Sequence, residues 1–381
     1  MNAAPSAPLA GLKVIELARI LAGPWIGQTL ADLGADVVKV ESPEGDDTRG
    51  WGPPFIEIDG EKSAAYFHAC NRGKRSVIAD FGKSEDRDFL LALIKDADVV
   101  IENFKVGGLK KFGLDYESLK ALNPRLVYCS VTGFGQTGPY AARAGYDFMI
   151  QGMSGFMDLT GEPDGPPEKI GVALADIITG LYGTIAIQAA LAQRQVTGRG
   201  QHIDMALFDT MSGVLANQAM NFLASGVAPR RLGNAHPNIV PYQTFAVSDG
   251  HIIIACGNDR QFAAICDILG LDGVASDERY ATNRARVEHR AEVAAMIEAK
   301  TRTITRDALL ALLEGKLVPA GPINTVADVF EDPQFQHREM RIDPQGIPGV
   351  RSPMVFSEAK LSTSRRAPKH GEHDQEIRSK L

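Results

Sequence analysis

The fold is decided by residues 12–41, which read LKVIELARILAGPWIGQTLADLGADVVKVE. Leu12–Leu17 and Asp36–Glu41 have the short apolar pattern of buried strands, and Ala22–Leu33 between them has the pattern of a helix. Strand, helix and strand in this order predict a βαβ unit, in which both strands lie parallel in one sheet. The turn after the first strand lacks G-x-G-x-x-G, so the sequence argues against a nicotinamide or flavin cofactor.

Strands and helices continue to alternate along the next part of the chain. Right-handed crossovers between successive strands would join them into an open, twisted α/β sheet. Asp209–Ala224 predicts one long apolar helix, and Ser63–Cys70 a shorter one. The other predicted elements are strands at Arg75–Asp80, Asp98–Glu102, Leu126–Val131 and Gln201–Leu207 and a helix at Ser84–Ala97.

The character of the sequence changes at Gly226–Pro241, which is rich in Gly, Pro, Asn and Arg and predicts a loop. Beyond it, Tyr242–Val247 and His251–Cys256 flank Ser-Asp-Gly, the pattern of a β-hairpin. Further helices are predicted at Gln261–Leu269, Arg284–Thr301 and Arg306–Leu313.

These patterns divide the chain into two domains. Residues 228–330 are expected to form a small α+β domain. Residues 1–227 and 331–381 are expected to form the large α/β domain, to which a strand-like stretch at Val350–Leu361 returns.

The composition excludes several classes of function. The 381 residues are 44% hydrophobic and carry a formal net charge of -7, so no global attraction to nucleic acid or to an anionic membrane follows. The four cysteines lie far apart or in apolar surroundings with no histidine at ligand spacing, which predicts buried thiols and no metal site. With neither a leader pattern nor a membrane-spanning run, the sequence predicts a cytoplasmic protein.

A single carboxylate interrupts the apolar stretch KIGVALADIITGLYG, residues 169–183. The residues after Asp176 predict a mostly buried helix that begins at this acid. Asp is a leading N-cap residue, so Asp176 could accept hydrogen bonds from the free N–H groups of the first turn. The same groups and the helix dipole would hold it ionised if it were a nucleophile. Local sequence allows both roles and favours the cap.

Seven segments occur in a distinctive order. They read PLAGLKVIELARILAGP, LGADVVKVESPEGDDTRGW, NRGKRSVIADF, ADVVIENFKVGGLKKFGLDYESLKALNPRLVYCSVTGFGQTGP, GVALADIITGLYG, VPAGPINTVADVFEDPQF and APKHGEHDQEI. Their order and spacing resemble the class III CoA-transferases, the formyl-CoA transferase and carnitine CoA-transferase family that also includes the α-methylacyl-CoA racemases. The resemblance implies a Rossmann-like large domain built from both chain ends, a small domain from the middle, and an interlocked homodimer. It also implies acyl-CoA and carboxylate substrates and no permanently bound cofactor.

By this resemblance, Asp176 matches the catalytic aspartate of the family. Its carboxylate would attack an acyl-CoA thioester to give a mixed anhydride, and then carry CoA as an aspartyl thioester. The chain departs from its relatives at Ser42, where another arginine is frequent and where Arg49 or Lys74 would have to compensate. Lys111 matches an arginine that binds the nucleotide phosphates in relatives. The residues expected to bind CoA are Leu21, Ala22, Arg75, Ala79, Asn103, Phe104, Lys105, Lys111 and Arg143.

Tyr146 and Asp147 bear on the choice between CoA transfer and racemisation. A racemase of this family carries a histidine directly before the aspartate, and tyrosine, with a pKa of about 10, is a poor two-way base at neutral pH. We therefore expect both side chains to line the thioester end of a transferase site. Racemase or epimerase chemistry is the alternative. A non-catalytic acyl-CoA binder, with Asp176 as a cap alone, is the third hypothesis.

The segment Gly233–Gln243, GNAHPNIVPYQ, occupies the place of the family's mobile glycine-rich loop. Its form is similar to transferases acting on dicarboxylic acids, such as the succinate–glutarate and hydroxymethylglutarate enzymes. Asn234 and His236 are expected to face substrate, and His236, Arg230 or Arg231 would bind a second carboxylate. The sequence therefore predicts CoA transfer between an acyl-CoA, first of all succinyl-CoA, and a short carboxylic or dicarboxylic acid.

Overall fold

The computed structural model describes residues 7–380, and the chain divides into two compact units. The first unit runs to Phe156, continues over Lys169–Leu223 and resumes at Pro333. The second unit consists of Met157–Glu168 and Ala224–Asp332.

The domain assignment made from sequence is corrected at residues 157–168, which it placed in the large domain. The structure groups this segment with the second unit. Arg231 forms an ion pair with Asp158 at 2.8 Å, and Gly233 donates its N–H to Gly161 O at 3.1 Å. These contacts join segments that are far apart along the chain, so no local pattern could indicate them.

The strands and helices are numbered in chain order. The strands are β1 (Lys13–Glu16), β2 (Asp36–Glu41), β3 (Phe55–Ile58), β4 (Glu61–Ala64), β5 (Arg75–Ile78), β6 (Val99–Glu102), β7 (Val127–Thr132), β8 (His202–Ala206), β9 (Tyr242–Val247), β10 (Gly250–Ala255), β11 (Ala320–Pro322), β12 (Arg341–Ile342) and β13 (Gly349–Val350). The helices are α1 (Ala22–Asp32), α2 (Ala65–Cys70), α3 (Ser84–Lys95), α4 (Tyr116–Leu122), α5 (Asp147–Met153), α6 (Phe156–Leu159), α7 (Leu174–Thr197), α8 (Leu207–Gly213), α9 (Ala216–Ser225), α10 (Asp259–Leu269), α11 (Asn283–Glu288), α12 (Arg290–Thr301), α13 (Arg306–Gly315), α14 (Val326–Glu331), α15 (Pro333–His337) and α16 (Asp374–Arg378).

A six-stranded sheet in the order β5-β2-β1-β6-β7-β8 forms the centre of the first unit. Neighbouring strands run parallel, and Val14 of β1 lies opposite Val37 on one side and Val99 on the other. The predicted parallel α/β sheet is confirmed. Because the strand order reverses between β1 and β6, the carboxyl ends of these two strands form a switch point, where open α/β sheets bind ligands.

Alternate side chains of the sheet enter two hydrophobic cores. Val14 and Val37 are buried in the core that contains residues of α1, α7 and α8. Val38 and Val100 are buried in the opposite core, which contains residues of α3, α4 and α16. Successive side chains of a strand point to opposite faces, and a parallel sheet is normally covered on both.

The long helix α7 carries Asp176 and packs against α1 through glycines. A Cβ at Gly180 would lie 3.0 Å from Ala22 O, and one at Gly183 would lie 2.6 Å from Ile26 Cδ1. Both helices therefore begin at the same edge of the sheet, the carboxyl edge at which α1 follows β1. Within residues 7–380, α7 is also the single helix that is long and apolar enough to cross a membrane, a test that core helices of globular proteins also meet.

Three elements of the first unit differ from the sequence-based expectation. Asp209–Ala224 forms two helices, α8 and α9, because the backbone turns at Ala216, where φ is 45°. Ser63–Cys70 contains the end of β4 before α2, since Ala64 pairs with Phe55 in an antiparallel hairpin. Val350–Leu361 is irregular beyond the short β13.

The second unit is built on the antiparallel sheet β11-β10-β9 and the helices α10–α13. The predicted hairpin is confirmed, with Val247 opposite Gly250. The predicted helix over Arg284–Thr301 is broken at His289, which ends α11 and precedes α12. Arg286 of α11 is 0% exposed and pairs with Asp259 at 2.7 Å, so its position is set by α10.

Candidate functional site

Asn103 joins the carboxyl ends of β1 and β6. Its Oδ1 accepts the Arg19 N–H at 2.9 Å, and its Nδ2 donates to Arg19 O at 2.7 Å. These two bonds hold the loop after β1 against the loop after β6, at the switch point of the sheet. Phe104 and Lys105, both predicted to bind CoA, follow directly, and Phe104 donates its N–H to Glu102 Oε2 at 2.8 Å.

The loop from β1 to α1 contains a residue in an uncommon conformation. Ile20 has φ 72°, where a β-branched residue is an outlier. The buried Asp46 carboxylate accepts the Ile20 N–H at 3.3 Å and so stabilises the turn. Leu21 and Ala22, which follow, are 6% and 4% exposed and begin α1 at this edge. The sequence analysis did not single out Asp46, because no motif marks it.

Asp176 lies in the first turn of α7 and does not cap it. The N-cap residue is Ala173, which makes no side-chain cap bond. The cap comes from α5, where Asp147 Oδ1 accepts the Ala175 N–H at 2.7 Å across 28 positions of sequence. The interpretation of Asp176 as an N-cap is therefore wrong, because the helix begins two residues earlier than its sequence indicates.

The proton affinity of Asp176 is high. Burial, and then the charge of Asp147, raise the pKa of Asp176 to about 7, and no hydrogen-bond donor among residues 7–380 lowers it. From the sequence, the N–H groups at the helix start were expected to keep this carboxylate ionised, which would lower its pKa. The pKa is raised instead. A carboxylate with a strongly shifted pKa at the ligand-binding edge of a sheet is a candidate reactive group.

Tyr66, on α2, is a neighbour of Asp176 that the sequence analysis missed. Burial, and then the Asp176 charge, raise the pKa of Tyr66 to about 12. The phenol therefore stays protonated at neutral pH and can donate a hydrogen bond. Its ring lies 5.4 Å from that of Trp51, centroid to centroid. Only an apolar helical pattern surrounds Tyr66 in the sequence, so nothing there distinguished it from a core residue.

Three predicted CoA-binding cations are exposed at loops that follow the sheet strands. Lys105 and Lys111 come after β6, and the Lys111 ammonium lies 4.6 Å from the Phe112 ring centroid. Arg143, after β7, lies over the Tyr140 ring at the same distance of 4.6 Å. None of the three takes part in an ion pair within residues 7–380. These three side chains are therefore available to bind phosphate groups.

Arg75 does not belong to this group, and its assignment to the CoA site is wrong. It begins β5 and lies at the amino edge of the sheet, whereas Ala79 follows β5 at the carboxyl edge. The guanidinium pairs with Asp36 at 2.6 Å and with Glu376 at 3.2 Å. Ala79 is 2% exposed and donates its N–H to Glu41 O at 2.9 Å.

Neither Arg49 nor Lys74 compensates for the missing arginine at Ser42. Arg49 makes two hydrogen bonds of 2.8 Å to the Glu41 carboxylate. Lys74 is 0% exposed and pairs with Glu16 at 2.8 Å. Removing one partner from a buried ion pair is strongly destabilising, so both cations are structural.

Asn234 and His236 lie in the second unit, in the loop before β9. His236 Nδ1 accepts the Asn238 N–H at 3.0 Å. Burial, and then the Arg290 charge, lower the pKa of His236, so its imidazole is neutral at neutral pH. With Nδ1 accepting, the neutral ring carries its proton on Nε2 and presents a donor there.

The remaining predicted residues divide into exposed and engaged side chains. Tyr146 is 67% exposed, directly before α5. Arg230 is exposed, whereas Arg231 is held by Asp158. Across residues 7–380, no group of three or more His, Cys, Asp or Glu side chains is arranged to hold a metal ion. The four cysteines are free and buried, as predicted.

Comparisons with known proteins identify the family of this chain. The family model described as CoA-transferase family III matches residues 9–374. The succinate–glutarate CoA-transferase of Agrobacterium fabrum is 58% identical, covering 98% of this chain and 96% of its own. The human succinyl-CoA:glutarate CoA-transferase is 40% identical, covering 97% of this chain and 85% of its own.

A solved structure extends the agreement to the fold. A CAIB/BAIF family protein from Brucella suis matches with a TM-score of 0.90 and 68% identity, covering 99% of this chain and 100% of that one. A family match over nearly the whole sequence, supported by relatives of this identity and coverage, shows that the chain belongs to CoA-transferase family III.

Proposed function

We propose that this enzyme moves CoA from succinyl-CoA to a second dicarboxylic acid, glutarate or a close analogue, with Asp176 as the nucleophile. The observation that carries the proposal is the Asp176 carboxylate, which has a pKa of about 7 and accepts no hydrogen bond from residues 7–380. Asp176 lies in the first turn of α7, which begins at the same edge of the sheet as the predicted CoA-binding residues that follow β1, β5 and β6. The relative from Agrobacterium fabrum is named for succinate and glutarate, which supports this pair of acids.

The proposed reaction has four balanced steps. Asp176 attacks the thioester carbonyl of succinyl-CoA, which forms a mixed anhydride and releases CoA thiolate. The thiolate attacks the aspartyl carbonyl of the anhydride, which forms the aspartyl-CoA thioester and releases succinate. The acceptor carboxylate attacks that thioester, which forms a second anhydride and frees the thiolate again. The thiolate then attacks the acceptor carbonyl, which releases the new acyl-CoA and restores Asp176.

The proton affinity of Asp176 suits the first of these steps. About half of the carboxyl groups are ionised at neutral pH when the pKa is about 7. The ionised fraction is more basic than an ordinary carboxylate, whose pKa is about 4, and so it is a stronger nucleophile toward a thioester. Water must be kept from the anhydride, and partial burial of Asp176 contributes to this.

Two other functions are less well supported. A racemase needs a second proton-transfer group at the reacting carbon, and Tyr146 stands where a racemase of this family carries its histidine. Exchange of solvent deuterium at the α-carbon of an acyl-CoA, without an acceptor acid, would favour the racemase. The hypothesis of a non-catalytic acyl-CoA binder required Asp176 to be a structural cap. Asp147 supplies the cap instead, so this hypothesis has less support.

We also propose that two chains form the interlocked homodimer that the family resemblance implies. Apolar side chains of α7 and α9 are exposed in the single chain, with Ile185 at 61% and Leu223 at 72%. Exposed apolar patches of this kind are typical of protein interfaces. Light scattering after gel filtration should give twice the chain mass, and a stable monomer would contradict the proposal. A cytoplasmic location and the absence of a bound cofactor stay predictions.

An isotope experiment tests the role of Asp176. If the acceptor carries oxygen-18 in both carboxylate positions, the anhydride sequence leaves one labelled oxygen on Asp176. One turnover should therefore increase the mass of the peptide containing Asp176 by about 2 Da. Label on another carboxylate, or transfer that proceeds with no label on the protein, would contradict the mechanism.

Matched variants complete this test. Asp176→Asn should abolish transfer, whereas Asp209→Asn, which removes an exposed carboxylate in the first turn of α8, should leave it unchanged. Hydroxylamine should cleave the aspartyl thioester formed by the wild type with succinyl-CoA, and should release nothing from Asp176→Asn.

The choice of acceptor is tested through His236. We propose that its Nε2–H binds the second carboxylate of a dicarboxylic acceptor. His236→Ala should raise the KM for glutarate about tenfold, the loss of a charge-assisted hydrogen bond, and should change the KM for butyrate little. His251→Ala, at an exposed histidine of β10, is the control. An equal rise in the KM for glutarate and for butyrate would show that His236 orders the loop and does not bind the second carboxylate.

A further inference from the structure

We propose that Asp147 and Gln151 act together as a cap from α5 that positions the first turn of α7 and the nucleophile on it. The inference rests on the proposed role of Asp176. It reassigns Asp147, expected from sequence to line the substrate, as a positioning residue.

Two hydrogen bonds connect α5 to the start of α7, and a third joins the two α5 side chains that make them. Asp147 Oδ1 accepts the Ala175 N–H at 2.7 Å, and Asp147 Oδ2 accepts a hydrogen bond from Gln151 Nε2 at 2.8 Å. Gln151 Oε1 in turn accepts the Ile170 N–H at 3.0 Å. Gln151 is 0% exposed, so water does not compete for its amide. The two side chains thus hold both the helix start and the segment that leads into it.

α7 needs such a cap because its own N-terminal residues cannot provide one. The first N–H groups of a helix have no partner within it. Ala173 occupies the N-cap position, and its side chain has no hydrogen-bond acceptor. Asp176 follows directly on Ala175, the residue whose N–H is held. Without the cap, the first turn would fray, and the carboxylate would lose its fixed direction.

The charge of Asp147 acts on Asp176 as well. It is the charge that raises the pKa of Asp176, after burial itself. The other titratable neighbour, Tyr66 on α2, is neutral because its own pKa is raised to about 12. α1 presents Ala22 and Trp25 to this part of α7, and neither titrates. Removing the negative charge from position 147 should therefore let Asp176 ionise at lower pH.

A donor–acceptor swap separates the hydrogen bonds from the charge. Asp147→Ala removes both. Asp147→Asn keeps an acceptor for the Ala175 N–H but turns an amide donor toward Gln151 Nε2. In the double variant Asp147→Asn/Gln151→Glu, the new amide accepts the Ala175 N–H and donates to the new carboxylate. That carboxylate still accepts the Ile170 N–H, so these three bonds are retained and the charge moves to position 151. The longer bond from Gln151 Nε2 to Val172 O, at 3.5 Å, is lost.

Hydrogen exchange reports the cap without turnover, and it can be measured in the Asp176→Asn background. Asp147→Ala should accelerate amide exchange over residues 170–177 about tenfold, and the double variant should restore protection. Unchanged protection in Asp147→Ala, or a folded double variant with protection as low as that of Asp147→Ala, would overturn the proposal. Because this readout needs no CoA transfer, it stands even if the proposed function fails.

Kinetics report the positioning role. Asp147→Ala should lower kcat about tenfold or more, with the KM for succinyl-CoA within about twofold of wild type. Activity of the wild type should rise with pH through about 7, and Asp147→Asn should move this acidic limb down by about one pH unit. Asp209→Asn, an exposed carboxylate of α8, should change neither. An acidic limb that stays in place in Asp147→Asn, or a KM effect without a kcat effect in Asp147→Ala, would show that the residue does not position the nucleophile.

Discussion

The burial and charge that are proposed to make Asp176 reactive also make it destabilising. Burial and the charge of Asp147 raise its pKa from 3.8 to about 7. The folded chain therefore binds this proton more tightly than the unfolded chain does. This tighter proton binding adds to the free energy of unfolding. The contribution is fully present below 3.8, the pKa of Asp176 in the unfolded chain, and is lost as the pH rises through about 7. A carboxylate held in this way opposes the fold once the pH exceeds about 7.

The stability of Asp176→Asn should show this linkage. The variant has no charge to bury, so we expect its free energy of unfolding to exceed that of the wild type by about 1–2 kcal/mol near pH 8, after allowance for partial solvent access. The difference should shrink toward pH 4. Urea unfolding across this range measures it, with Asp209→Asn as the control. A difference that does not change with pH would contradict the linkage.

Two basic residues that look equivalent in the sequence should behave differently. Lys111 is exposed and unpaired at the carboxyl edge, so Lys111→Ala should raise the KM for succinyl-CoA about five- to tenfold, an effect that added salt should reduce. Lys110→Ala, at the adjacent exposed lysine, is the matched control. Arg75→Ala should leave this KM unchanged and lower the free energy of unfolding by about 1 kcal/mol through its lost ion pairs. A raised KM for succinyl-CoA in Arg75→Ala would show that Arg75 does contribute to CoA binding.

Among the elements, α1 shows how buried charge shapes the site. Glu16 lies between Lys39 and Lys74, at 3.2 Å and 2.8 Å, and all three are 0% exposed. α1 can pass over this cluster because Gly27 has no side chain, and a Cβ there would overlap Glu16 Oε2. The start of α1, where Leu21 and Ala22 lie, depends on this close approach.

Gly27→Ala should therefore destabilise the protein severely. The added methyl group would push Glu16 from its lysines and leave buried charges unpaired, at a loss of about 3–5 kcal/mol. Gly213→Ala, in α8, has open space around its Cβ position and should be neutral or slightly stabilising. Thermal unfolding of both variants makes the comparison. A Gly27→Ala protein as stable as the control would show that the cluster can rearrange.

At the scale of the whole molecule, the end of the chain completes the first unit. Asp374 of α16 accepts the Ile78 N–H at 3.1 Å, and Arg378 pairs with Asp86 at 2.9 Å. Ile377 is 4% exposed and belongs to the core beneath β5. The outermost strand of the sheet therefore depends on residues about 300 positions later, as the sequence separation of 296 between Ile78 and Asp374 shows.

A chain that ends at Gly371 should lose this support. We expect amide exchange in β5 to accelerate about tenfold or more, because the strand loses its outer cover, while β9 and β10 of the second unit keep their protection. Lys380→Ala, which removes only an exposed ion pair with Glu376, is the control. Unchanged exchange in β5 would mean that α16 adds little to the sheet.

Much of the first unit was predictable because its elements are encoded locally. The strands around Val14, Val37 and Val99 are apolar runs bounded by polar residues, and such runs indicate buried strands. The break at Ala216 was not predictable, because an apolar helical pattern continues through it and only the backbone conformation stops the helix. Asp176 was predicted as the nucleophile from motif order, whereas no local pattern indicated that Asp147 caps its helix.

The sequence alone determined the parallel α/β sheet, the hairpin of the second unit and the family, and it indicated Asp176 as the candidate nucleophile. All of these depend on periodicity and on motifs that are short along the chain. Only the tertiary structure decided that Asp147 caps α7, that Arg75 lies at the wrong edge for CoA, and that Lys74 is buried. The reason is physical, because the partner of a charge or of a free N–H group is set by proximity in space. The sequence around a charged residue does not show whether that residue is paired or free.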